Sequence, residues 1–98
     1  MDKDAVIATL RAHRAALERL GVIHAAVFGS VARGEAGPES DIDIAIDMDY
    51  DVVGGLWEYG ALKQQIADLF SGPVDVVNQR KLKPGIKESV ARDMIYAF

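Results

Sequence analysis

Apolar positions at Val6, Leu10, Leu17 and Leu20, with His13 on the same face, recur at intervals of three and four. This spacing predicts a helix over Asp4–Leu20, stopped by Gly21. Val22 to Phe28 is a short apolar run ending at Gly29, as expected of a buried strand that delivers Gly29-Ser30 to a turn. Val31-Ala32-Arg33 suits one helical turn, and Gly34 to Ser40 reads as a loop from its Gly and Pro content. Asp41 to Ile46 alternates polar and apolar, which predicts a half-buried strand. Asp47 to Gly55 is acidic and ends in two glycines, the pattern of a surface connection. Leu56 to Phe70 predicts a second long helix with Leu62, Ile66, Leu69 and Phe70 on one side, ended by Ser71-Gly72-Pro73. Val74 to Val77 predicts a third strand, and Pro84 to Ala97 a last helix with Ile86, Val90, Met94 and Ile95 as its apolar positions.

Helices interleaved with strands imply an α/β fold, a small sheet packed against helices, with the strand order left open. No repeat, linker or low-complexity tract divides the order, so one domain over residues 1–98 is expected. Half the residues are apolar, enough for a core. A formal charge of −4 argues against a stable nucleic-acid partner, which would call for a basic stripe. The chain has no cysteine, which removes disulfides and thiolate metal sites. No apolar run approaches the ~18 residues of a membrane span, and the acidic start Met1-Asp2-Lys3-Asp4 is unlike an export signal, so a cytoplasmic protein is expected.

The chemistry concentrates in Gly29-Ser30, then ten residues, then Asp41-Ile42-Asp43, with Asp75 in the later run Val74-Asp75-Val76-Val77. Residues two apart on a strand share a face and lie roughly 6 to 7 Å apart. At an effective dielectric of about 20, two such carboxylates repel by roughly 2 to 3 kcal/mol, a cost that a bound cation reverses. Asp is a poor strand former, and an unpaired charge in a run as apolar as that around Asp75 is costly unless a metal or a base meets it. Mg²⁺ suits three aspartates, since it takes oxygen ligands from one or two carboxylates together with substrate phosphates. Gly29 would let a phosphate approach the backbone, with the neighbouring amides and the Ser30 hydroxyl donating to it.

Other patterns fail on specific residues. Gly29 to Gly34 has P-loop glycine spacing, but Glu35-Ala36 stands where Lys and Ser or Thr would be needed. Asp47, Asp49, Asp51 and Glu58 match the carboxylate spacing of an EF-hand, yet Val52 occupies the place of the turn glycine. His13 and His24 lack a second ligand at metal-binding spacing, so structural roles are expected for both. Arg33 reads equally as a loop charge or as a partner for phosphate or aspartate. Trp57, Tyr59 and Tyr96 are expected to pack; an exposed Trp57 would mark a partner surface.

Taken together, Gly29-Ser30-Val31-Ala32-Arg33-Gly34-Glu35-Ala36 and Ser40-Asp41-Ile42-Asp43-Ile44 resemble the signature of the minimal nucleotidyltransferases of the DNA polymerase β-like superfamily. Asp75 fits the family's third aspartate, and Ser89 to Tyr96 looks like its final helix. The resemblance implies a polymerase β palm-like fold with a small mixed sheet, and transfer of a nucleoside monophosphate, expected to be AMP from ATP. It implies that Gly29 and Ser30, with Arg33, bind the nucleotide, and that Asp41, Asp43 and Asp75 are the catalytic metal ligands, expected to hold two Mg²⁺ ions. Chains this short resemble the antitoxin half of HEPN-MNT toxin–antitoxin pairs, which implies a HEPN ribonuclease toxin as partner and a toxin tyrosine as acceptor. Neutralisation by binding alone, or transfer to a small molecule or an RNA end, remain alternatives at this point.

Overall fold

The structure, a computed structural model, describes residues 1–37 and 39–98; Pro38, in the predicted loop, lies outside the described residues. Its centre is a mixed sheet. Strand β1 (Val22–Phe28) pairs antiparallel with β2 (Ile42–Met48), and β2 pairs parallel with β3 (Val74–Asn78). A two-residue strand β4 (Ile95–Tyr96) closes the other edge against β1, giving the order β3-β2-β1-β4.

Period-two alternation sorts the two faces of the sheet. Ile42, Ile44 and Ile46 stand on one face with Ala25, Val27 and Val76, and all six are buried. Onto them pack Val6 and Leu10 of α1 (Lys3–Ala12), Leu17 of α2 (Arg14–Arg19), and Leu62 and Ile66 of α5 (Leu56–Ala67). Each fully buried aliphatic side chain of this kind contributes about 1.5–3 kcal/mol. The helix pattern in the sequence is thus the stripe that covers the isoleucines.

Ala26 and Ala45 alternate to the opposite face and are also fully buried. Helix α6 (Pro84–Asp93) touches β1 and the short helix α3 (Gly29–Arg33), and its Val90 is buried outside the main cluster. The small alanines let α6 approach this second face. Val90→Ala should therefore cost about 1–2 kcal/mol, read as a lower urea midpoint at unchanged slope. An unchanged midpoint would mean that α6 does not pack there in solution.

Four elements differ from the sequence expectation. The first helix divides at His13, whose N–H is shared between the Thr9 and Leu10 carbonyls at 3.3 and 3.2 Å while its ring Nδ1 lies 2.9 Å from the same Thr9 oxygen. Competition for that carbonyl interrupts the ladder, and His13 is exposed rather than set in an apolar face. Strand β2 runs on to Met48, which is buried, so Asp47 belongs to the sheet and not to a surface connection. The rest of that connection forms one turn, α4 (Tyr50–Val53), N-capped by Asp49. Finally, the last helix ends at Asp93, because Met94 leaves helical geometry (ψ 128°) and the chain joins the free edge of β1. Ala97 N–H donates to Ala25 O at 2.8 Å and Arg11 Nε to Ala97 O at 2.7 Å, which fixes the tail as strand where the helical spacing had placed a turn.

Candidate active site

The sheet register assembles the site. Phe28, the last residue of β1, lies opposite Asp43 on β2, and Asp43 lies beside Asp75 on β3. In-register neighbours share a face, so the Asp43 and Asp75 side chains leave the sheet on the same side, opposite to the isoleucines. Gly29 follows Phe28 and opens α3 with φ +72°, and a Cβ there would sit on Asp43 Oδ2 and 3.2 Å from its Cγ. The Asp43 carboxylate therefore rests against the backbone of the Gly29-Ser30 turn. Asp41 lies one residue ahead of β2 and is exposed.

Electrostatics report the same proximity. The Asp43 carboxyl is held above its ordinary range first by burial, then by the negative charges of Asp75 and Asp41, with Arg33 acting the other way. Asp75 itself is exposed on the edge strand, whereas the apolar run around it had suggested burial. Its neighbours Val74 and Val77 are only half-buried.

The raised Asp43 value has a consequence for stability. The folded protein holds a proton on Asp43 at pH values where the unfolded chain has released it, so stability falls as pH rises through that window and the penalty is complete above it. Metal-free protein should thus gain stability on acidification toward the ordinary carboxylate range, and Asp43→Asn should lack this component. Urea midpoints against pH would check it; the same slope in both proteins would count against the crowding of charges.

Among the described residues, no three acidic, imidazole or thiol groups stand close enough to enclose a metal ion as they are. The donor set nevertheless fits a hard divalent cation: oxygen donors only, mutually repelling, with Asp41 and Asp75 exposed and able to rotate inward. Arg33 is held by two carboxylates beside the site. Its Nε donates to Glu35 Oε2 at 2.9 Å and its Nη1 to Asp93 Oδ2 at 2.6 Å, which ties α3 to α6.

Two features of this region escaped the sequence reading. Asp47 lies on the same face as Asp43, and Arg80 Nε is 2.9 Å from its Oδ1 as an ion pair, although the N–H direction completes no hydrogen bond to that buried oxygen. The alternation Ile42, Ile44, Ile46, Met48 was the signal that could have extended the strand past it. A cleft of about 430 Å³ beside Asp75 includes Tyr50, Leu56, Tyr59 and Lys63 in its lining. It joins residues distant in sequence and had no local signal.

Comparison with known proteins agrees with this architecture. A family model described as a nucleotidyltransferase domain matches residues 10–97. Protein adenylyltransferase MntA of Thermococcus cleftensis is 39% identical over 88 residues, covering 89% of this chain and 87% of that protein. A protein of Methanocaldococcus jannaschii that also carries a protein adenylyltransferase name is 35% identical over 89 residues, 89% of each. A solved structure described as a minimal nucleotidyltransferase superposes with a TM-score of 0.71 at 37% identity, covering 97% of this chain and 95% of that one. A toxin–antitoxin structure solved with AMP-PNP shares the fold, with a TM-score of 0.65 at 23% identity over 100% of this chain and 73% of that one. The matched stretch contains the glycine-serine turn and all three aspartates, and the chain belongs to the nucleotidyltransferase domain family.

Proposed function

We propose that this chain is a Mg²⁺-dependent protein adenylyltransferase that moves AMP from ATP to a hydroxyl of a partner protein, and that it acts as the antitoxin of a HEPN ribonuclease toxin in the cytoplasm. The observation that carries this reading is that Asp43 lies directly against Gly29 of the Gly29-Ser30 turn and pairs with Asp75 on the neighbouring strand. The adenylyltransferase names of its relatives and the nucleotide-bound toxin–antitoxin structure support it.

In this reading the backbone at Gly29 and the Ser30 hydroxyl hold the β- and γ-phosphates, and Asp41, Asp43 and Asp75 hold the metal. When bound, Mg²⁺ neutralises the triphosphate and polarises the transferred phosphoryl group. Asp75, exposed on the edge strand, takes the proton of the attacking hydroxyl. The acceptor oxygen then bonds to the α-phosphorus, the bond from that phosphorus to the bridging oxygen of the β-phosphate breaks, and pyrophosphate leaves. Arg33, through Asp93, fixes α3 and so the turn that carries Ser30. Incubating the chain with Mg-ATP and its co-encoded partner, then weighing the partner, tests the proposal. A gain of one or more AMP is expected; an unchanged mass with ATP bound would contradict it.

One observation favours a second reading, in which the partner is silenced by contact. Leu56 and Trp57 at the start of α5 are 84% and 90% exposed, unusual for such side chains in a free surface helix. If contact suffices, Asp43→Asn still neutralises the toxin and Trp57→Ala does not. If transfer is required, Asp43→Asn fails while Trp57→Ala leaves ATP binding unchanged.

A further inference from the structure

Strand β3 is an edge strand, and the parallel ladder dictates which of its backbone groups are free. Ile42 N–H donates to Pro73 O at 2.9 Å, and Ile42 pairs with Val74 and Asp43 with Asp75. In that register Asp75 and Val77 bond inward to β2, and the N–H and C=O of Val74 and Val76 point outward.

A groove follows this edge. The cleft of about 430 Å³ along Asp75–Asn78 continues into one of about 330 Å³ along Val74–Val76, and the two share Lys63, Asp75 and Val76. Its far wall is α5, which presents Gly60 and Ala67 there; a Cβ at Gly60 would meet nothing within 4 Å. Strand β3 is five residues long, so the groove offers roughly 17 Å of unpaired strand. Among the described residues, Lys63 and Lys81 line it without making an ion pair. An unpaired sheet edge, a side-chain-wide slot and two lysines without an ion pair among the described residues, Lys63 lying 5.3 Å over the Tyr59 ring, complement an extended, acidic polypeptide.

We propose that the acceptor segment of the partner protein docks here as an added strand on β3, with acidic side chains toward Lys63 and Lys81 and the hydroxyl-bearing residue abreast of Asp75. Side chains of in-register neighbours leave a sheet on the same side, their Cβ atoms about 5 Å apart. The acceptor side chain therefore rises on the face that carries Asp43 and Asp75, where its hydroxyl reaches the phosphoryl group. Strand addition supplies affinity through the main chain, and the alternation selects which residue is modified. The inference rests on the transferase reading and specifies how the acceptor is held.

The probe is a synthetic peptide of alternating valine and threonine with a central tyrosine flanked by glutamates, and its twin N-methylated at every second residue. Amide hydrogen exchange of the full chain with Mg-ATP is followed by NMR, and the peptide is weighed afterwards. Slowed exchange at Val74 and Val76 is expected, with Asp75 and Val77 already protected, and the N-methylated twin should bind at least about tenfold more weakly. Gly60→Trp fills the slot without touching the core and should weaken the peptide to a similar degree with ATP affinity unchanged. Binding with no protection at Val74 and Val76, or no binding at all, would overturn strand addition. AMP on the peptide without that protection would leave the transferase intact and remove only the docking mode, whereas protection without AMP would remove the transfer reading.

Discussion

Asp43→Asn should lower AMP transfer by about 10³-fold while leaving the protein folded. Asp43 is the only member of the acidic trio with a paired strand on both sides, Phe28 across one and Asp75 across the other. It is also the one whose carboxyl feels the charges of both Asp41 and Asp75. Asparagine keeps the shape that rests on Gly29 but presents a neutral oxygen where a divalent ion needs charge. Removing one of three repelling charges relieves the metal-free fold, so the variant should melt no lower than the parent. Single-turnover transfer and a thermal melt together check this. Transfer within about tenfold of the parent would place the metal elsewhere.

Gly29→Val should damage both fold and site. At φ +72° a β-branched residue is strained by about 1–3 kcal/mol, and its Cβ would displace the Asp43 carboxylate. Gly34→Val is the informative control: its φ is +75°, yet a Cβ there meets nothing within 4 Å. Both variants should lose stability to a similar degree, read from urea midpoints, and only Gly29→Val should also lose transfer under conditions where it is folded. Equal activity in the two would show that the close contact between the turn and Asp43 does not matter.

Much of the site was legible because its spacing is local. The apolar run to Phe28 and the alternation from Ile42 to Ile46 marked two strands, and the ten residues between Ser30 and Asp41 had to return the chain to the same end of the sheet. That Asp75 would stand beside Asp43 followed only from family resemblance, since parallel pairing between strands some thirty residues apart leaves no local trace. The Arg33–Asp93 pair was hidden for the same reason, its partners being 60 residues apart. Strand β4 was misread because Met94 and Ile95 continue the helical spacing, and tertiary bonds to Ala25 override it. The break at His13 depends on a side chain competing for one carbonyl, which periodicity does not register.

The most direct test of the proposed metal site adds paramagnetic Mn²⁺ in place of Mg²⁺ in the presence of a non-hydrolysable ATP analogue and maps the broadening of backbone amides. Broadening centred on Gly29-Ser30, Asp41 to Asp43 and Asp75 is expected. Broadening centred instead on the acidic turn at Asp49 and Asp51, or none at all, would contradict three aspartates gathered against a glycine-serine turn as the seat of phosphoryl transfer.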